Sequence, residues 1–249
     1  MVRARMQSGA FRLFKVAGIE VSIHFSWFII AAYQLLARPH GYSNPVWAGY
    51  EYLMLFAIVL LHEFGHALAC RQTGGEANYI MLWPLGGVAF VRPPLRPGAQ
   101  LWSIAAGPLV NVVLMPILVI AQAMAFRLGW GIEHPDAYRL LVNTTYINGG
   151  LLIFNLLPIY PLDGGQILRS LLWFPLGRIR SLQIASGIGF VGSAAVVVFA
   201  IWARSIWLGV LAFFLISQAM AGWKQAQELA LAESEATRMR ADADRPPMV

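Results

Sequence analysis

Several stretches of this chain are apolar for long enough to cross a bilayer, and nothing else in it limits the fold so severely. A helix needs about 20 mainly apolar residues to span the hydrocarbon core, and in lipid its backbone groups must be satisfied within the segment. Apolar runs read against their breakers predict spans at residues 22–37, 47–70, 101–127, 140–172, 182–202 and 205–222. Composition agrees, with 58% of the 249 residues hydrophobic and 12% charged, against roughly 45–50% and 25% in soluble domains. An ordinary soluble protein, collagen and a disulfide scaffold are excluded, and the single cysteine, Cys70, cannot form an internal disulfide. The expected fold is an all-α polytopic membrane protein of about six transmembrane helices.

The basic residues carry topology. The formal charge of +6 would suit nucleic acid, but Lys and Arg are dispersed between apolar runs and form no stripe, so nucleic acid is not an expected partner. With the N-terminus inside, 14 of the 18 basic residues fall on one side. Arg38, Arg127, Arg139 and Arg204 fall on the other, so the positive-inside rule places both termini in the cytoplasm. Tryptophans near most span ends, Trp47, Trp102, Trp202 and Trp223 among them, suit headgroup depth. The first span could be a signal-peptide core behind Arg3, Arg5, Arg12 and Lys15, but no small-residue cleavage site follows it, and it reads as a helix.

Two segments are not spans. Ile80 to Val91 is apolar but short, and Pro84, Gly86, Gly87 and then Pro93, Pro94 and Pro97 interrupt or close it. It predicts a re-entrant β-hairpin or loop between the second and third helices. After Trp223 the composition turns polar with alternating charge, which divides the chain into a transmembrane domain at 1–223 and a polar cytoplasmic tail at 224–249.

Within the second span stands His62-Glu63-Phe64-Gly65-His66. Histidines four apart share a helical face and can reach one metal ion, while the glutamate after the first can approach a metal-activated water as general base. The chain's own residue frequencies predict on the order of 0.003 chance matches, so chance is a poor account. Ionisable side chains at membrane depth cost roughly 2.5 kcal/mol or more each, which argues against mere hydrogen bonding between helices. A catalytic zinc takes three protein ligands and leaves a position open. Glu51 lies about 16 Å from His62 along the helix axis and cannot converge. His24 at the start of the first span and Asp163 remain. Helical rise puts His62, His66 and Asp163 about 14, 8 and 9 Å from the basic residues Arg71 and Arg169 that follow them, a common depth near the cytoplasmic leaflet. Pro158, Pro161, Gly164 and Gly165 break the fourth span around Asp163, and a broken helix is tolerated there where it lines a water-filled cavity.

His62-Glu63-Phe64-Gly65-His66, Asn155-Leu-Leu-Pro and Pro161-Leu-Asp163-Gly164 together resemble the site-2 protease family of intramembrane zinc metalloproteases. Gly86-Gly87 after a proline, Ala106-Gly107-Pro108-Leu-Val-Asn111 and Ile23-His24-Phe-Ser-Trp27 are smaller matches, and the likeness covers residues 20 to 170. The resemblance implies Zn2+ held by His62, His66 and Asp163, with Glu63 as catalytic base. It implies that Asn155, and more weakly Asn111, hold the substrate strand or its developing oxyanion. Gly86 and Gly87 would lie in a strand whose edge pairs with an extended peptide, and His24 would be structural or close to substrate. Several branches append a PDZ or CBS domain; the 26 residues after Trp223 are too few for one, so the likeness is closest to the compact six-span branch.

The resulting expectation is an intramembrane zinc endopeptidase that cleaves transmembrane segments of other proteins in the cell membrane, with its active site toward the cytoplasm. Its partners would be a transmembrane protein substrate and membrane lipid, with a homo-oligomer left open. The alternative is a transition-metal transporter or metal-sensing membrane protein. A transporter typically carries paired broken helices in two related halves, and no internal repeat is present. A base beside an open metal position also serves no obvious purpose in transport.

Overall fold

A computed structural model describes residues 9–29, 32, 41–83 and 86–243. The chain forms two compact units, residues 1–156 and 157–249.

In the first unit, strands β1 (Ala10–Val16), β2 (Ile19–His24), β3 (Glu76–Trp83) and β4 (Gly86–Arg92) form one sheet in that order. β1 and β2 pair antiparallel, β2 and β3 parallel, and β3 and β4 antiparallel. Helix α1 (Pro45–Gln72) packs against β3 and β4 and against helices α2 (Pro97–Arg127) and α4 (Pro135–Leu156). A single turn, α3 (Trp130–Glu133), precedes α4. Strand alternation makes the core: Ile19, Val21 and Ile23 of β2 and Ile80 and Leu82 of β3 are buried with Val59, Ala67 and Cys70 of α1. Asn44 caps α1 by accepting a hydrogen bond from the Val46 N–H at 2.9 Å, with Pro45 in the first turn, where its missing N–H costs nothing.

The second unit is a helical pair, α5 (Asp163–Trp202) packed on α6 (Ile206–Ala243). Residues 157–162 fold back onto the first turn of α5: a Cβ on Gly165 would lie 2.4 Å from the Tyr160 nitrogen. Gln166 secures the turn by donating to the Pro161 carbonyl at 2.8 Å. Gly177 interrupts α5 with φ 77°, and Pro175 just before it removes one more helix hydrogen bond.

Four described helices, α1, α2, α5 and α6, are long and apolar enough to cross a membrane. The sequence expectation departs from this in four places. The span at 22–37 begins in β2 and continues as a helical turn at 26–29, where the Trp27 carbonyl accepts from the Tyr52 hydroxyl at 2.6 Å; most of its remainder lies outside the described residues. The span at 140–172 is two elements, α4 and the start of α5, because the prolines at 158 and 161 cannot continue a helix. α4, bearing Asn143, Thr144, Thr145 and Asn148, is not among the four apolar helices. The fold is not purely helical: the hairpin predicted at 80–91 is β3–β4, starting at Glu76, and it extends a sheet begun by the N-terminal strands. Residues 224–243, within the predicted polar tail, continue α6.

Candidate active site

One face of α1 carries three buried ionisable side chains, His62, Glu63 and His66, at 3%, 5% and 8% exposure. Burial on this scale requires that each be held by specific polar partners. His66 Nδ1 lies 2.9 Å from the Ser103 carbonyl, which can only accept, so Nδ1 carries the proton. His62 Nδ1 lies 2.7 Å from Asn111 Oδ1. The orientation of that amide is fixed in turn, since Asn111 Nδ2 donates to Asn148 Oδ1 at 2.8 Å and Asn148 Nδ2 donates to the Asn111 carbonyl at 3.0 Å. His62 therefore also carries its proton on Nδ1.

Both imidazoles thus direct the lone pair of Nε2 inward, and the two Nε2 atoms are 3.1 Å apart. A tetrahedral ion about 2.0–2.1 Å from each of two nitrogens sets them about 3.3 Å apart. The donor chemistry and spacing fit zinc, and an N–H of each ligand given to an oxygen acceptor is the usual means of orienting such ligands.

Glu63 points from the same helix toward the sheet, where its Oε2 accepts from the Ala89 backbone N–H of β4 at 2.7 Å. Two glycines make these approaches feasible. A Cβ on Gly107 of α2 would lie 2.2 Å from His66 Nε2, and one on Gly87 of β4 would lie 2.2 Å from Glu63 Cγ. The Gly87 contact follows from register: Leu82 opposes Gly87, and Leu82 is in the core against α1. His24 is on the next rung of β2 and so on the other face of the sheet. Its ring stacks on Trp83 at 4.8 Å between centroids, and it does not join His62 and His66.

A model of peptidase family M50 matches residues 50–131 and 129–199, more than half of the chain. The zinc metalloprotease MJ0392 of Methanocaldococcus jannaschii is 31% identical over 205 residues, 82% of this chain and 58% of that protein. Stage IV sporulation protein FB of Bacillus subtilis is 30% identical over 179 residues, 69% of this chain and 55% of that one. The solved site-2 protease from Methanocaldococcus jannaschii superposes with a TM-score of 0.60 at 27% identity, covering 86% of this chain and 95% of that structure.

The chain belongs to peptidase family M50, the site-2 proteases. It is a member of a zinc metalloprotease family, and its four apolar helices make it an integral membrane protein. It spans 58% of MJ0392 and 55% of the sporulation protein.

Within this M50 chain the other predicted site residues stand as follows. Asp163 is the first residue of α5 in the second unit, at the positive end of the helix dipole. Asn155 is half-buried near the end of α4 and makes no side-chain hydrogen bond among the described residues. Asn111 is fully buried, and its amide is committed to His62 and Asn148. Three further contributors were not singled out from the sequence: Asn148, the Ser103 carbonyl and the Ala89 N–H. Asn148 could have been noticed as a polar residue inside the span predicted at 140–172; the other two are main-chain groups and leave no trace in residue type.

Proposed function

We propose that this M50 member is an intramembrane zinc endopeptidase that hydrolyses peptide bonds within transmembrane segments of other membrane proteins. The observation carrying this reading is the paired Nδ1–H anchoring of His62 and His66, which presents two Nε2 donors at metal-ligand spacing beside the buried carboxylate of Glu63. Asp163 supplies the third ligand. Its support is the common depth of the three residues from helical rise and the match of Pro161-Leu-Asp163-Gly164 to the family motif.

A zinc ion bound there supplies Lewis acidity to a water and to the substrate carbonyl. Glu63 takes the proton from the attacking water and hands it to the leaving nitrogen. The Ala89 N–H steers this carboxylate, and Gly87 leaves it room. Asn155 donates to the substrate strand or its oxyanion, a role open to an amide that adds no buried charge. Asn111 holds His62 in its metal-binding tautomer. The β4 edge around Gly86 and Gly87 pairs with a substrate helix once it has unwound.

The chain inserts in the cell membrane with both termini and the site toward the cytoplasm, the side that receives most Lys and Arg. Residues 1–223 form the transmembrane catalytic domain and 224–249 a cytoplasmic extension. The decisive test is Glu63→Gln in the purified full chain. Zinc stays bound and cleavage of a transmembrane substrate stops; continued cleavage would remove the assigned base. Asp163→Ala should lower zinc content, and undiminished stoichiometric zinc would refute the third ligand.

A further inference from the structure

The second unit contains an open groove of about 810 Å³ between the interruption in α5 and the outer part of α6. Arg178, Arg180 and Arg238 line it, with Glu233, Ser234 and Thr237. No carboxylate pairs with any of the three arginines among the described residues, and the buried Arg178 Nε has no hydrogen-bond partner there. Three guanidinium groups against one carboxylate leave the groove cationic. Arg178 is half-buried, where an unpaired guanidinium nitrogen is costly, and the exposed Arg180 and Arg238 stand beside it, so an anion in the groove completes the Arg178 shell and offsets the repulsion among the three.

The backbone adds to this polarity. α5 restarts after Gly177, and the first turn of a helix presents unpaired N–H groups and the positive end of its dipole. The lining residues Gly177, Arg178 and Arg180 are at that restart. The hydroxyls of Ser234 and Thr237 donate within α6, to the Leu231 and Glu233 carbonyls at 2.8 Å each, so the donors left to an anion are the guanidinium groups and the first-turn N–H groups, and Leu176 and Ile179 give the groove an apolar lip.

Depth selects the anion. From Leu182 to Trp202 α5 carries no charge, a run of about 30 Å at 1.5 Å per residue, the thickness of a hydrocarbon core. Arg178 and Arg180 come immediately before it and therefore stand at headgroup level. Basic pockets between membrane helices at this depth suit phosphate-bearing lipid headgroups, and guanidinium groups match phosphate oxygens in geometry.

We propose that this groove is a binding site for a phosphate-bearing anion, and that in the membrane the anion is the headgroup of an acidic phospholipid. The inference rests on membrane insertion of the chain and not on its proteolytic activity. The test is native mass spectrometry of the purified full chain in detergent, with phosphatidylglycerol, phosphatidylcholine of the same acyl chains, or inorganic phosphate added. Wild-type protein retains phosphatidylglycerol at least tenfold better than phosphatidylcholine. The R178Q/R180Q/R238Q variant loses that preference while keeping its unfolding temperature in phosphatidylcholine micelles. Glu233→Gln removes the opposing charge and tightens binding, which keeps the test decisive should the triple variant fail to fold. Arginine-dependent binding of inorganic phosphate without preference between the lipids would assign the site to a free anion. Equal retention of both lipids without phosphate binding, equal retention by wild type and the folded triple variant, or no tightening in Glu233→Gln would overturn the proposal.

Discussion

Replacing Asn111 by leucine tests whether the inward face of His62 is held by its partner. Leucine shares the Cγ branching of asparagine but is bulkier and has no polar atom, so the substitution crowds a fully buried position and leaves two buried groups unsatisfied, the His62 Nδ1–H and Asn148 Oδ1. Each such group costs roughly 1–3 kcal/mol, which predicts a stability loss of about 2–6 kcal/mol. His62 is then free to rotate or to move its proton to Nε2, and loss of a partner of this kind typically lowers metal affinity about 10–100-fold. At 1.4 kcal/mol per decade this is about 1.4–2.8 kcal/mol. The double variant Asn111→Leu/Asn148→Leu separates the two effects. It removes both partners of the amide–amide bond and recovers part of the stability, while His62 stays without its acceptor and zinc affinity stays low. Zinc affinity is read by competition with a chromogenic chelator and stability by thermal unfolding in detergent. Asn111→Leu binding zinc as tightly as wild type would show that the Asn111 contact does not position His62.

Gly87→Ala places a methyl 2.2 Å from Glu63 Cγ and should cut turnover about 100-fold, the scale of a 1 Å misplacement of a reacting group, with zinc content unchanged; coincident loss of zinc would contradict it. Tyr42 donates to Glu51 at 2.7 Å, and burial together with that carboxylate raises its hydroxyl pKa above the ordinary value near 10. The stabilisation is complete below pH 10 and declines as pH rises above it, because the unfolded chain ionises first. Thermal unfolding of Tyr42→Phe should therefore vary less with pH between about 9 and 11 than that of wild type, and parallel curves would refute the coupling. Stripping zinc with a chelator should abolish cleavage and lower stability by about 2.7 kcal/mol relative to protein with free zinc at 100 times its dissociation constant; an unchanged unfolding midpoint would count against a metal bound to the folded state.

The sequence reads best where one residue type has one plausible purpose. His62, Glu63 and His66 stood out because ionisable groups at helical spacing inside an apolar run are costly, and the structure buries all three on α1. Span counting fared less well, since hydropathy does not distinguish burial in lipid from burial in protein. Ile19, Val21 and Ile23 alternate as a strand should, yet the apolar run that follows drew the last of them, Ile23, into the helix predicted at 22–37. The break before Asp163 was legible from its prolines, but they could not show that α5 would continue from there to Trp202. The amide of Asn111 is an ordinary helix-bonding group until Asn148 is seen to orient it, and that pairing joins residues far apart in the chain.

The contacts that aim His66 and Glu63 come from the carbonyl of residue 103 and the N–H of residue 89, which almost any amino acid would supply. Side-chain scanning would miss both groups: at residue 103 it reads only the hydroxyl, which donates to the His66 carbonyl at 3.4 Å, and residue 89 is already alanine. Packing limits sequence drift there, since Ser103 is fully buried and Ala89 packs against the core, but a change that fits keeps both main-chain groups while the path of α2 and the register of β4 are kept. Amide-to-ester replacement at residue 89, which deletes the donor and spares the side chain, would expose a dependence that mutagenesis cannot reach.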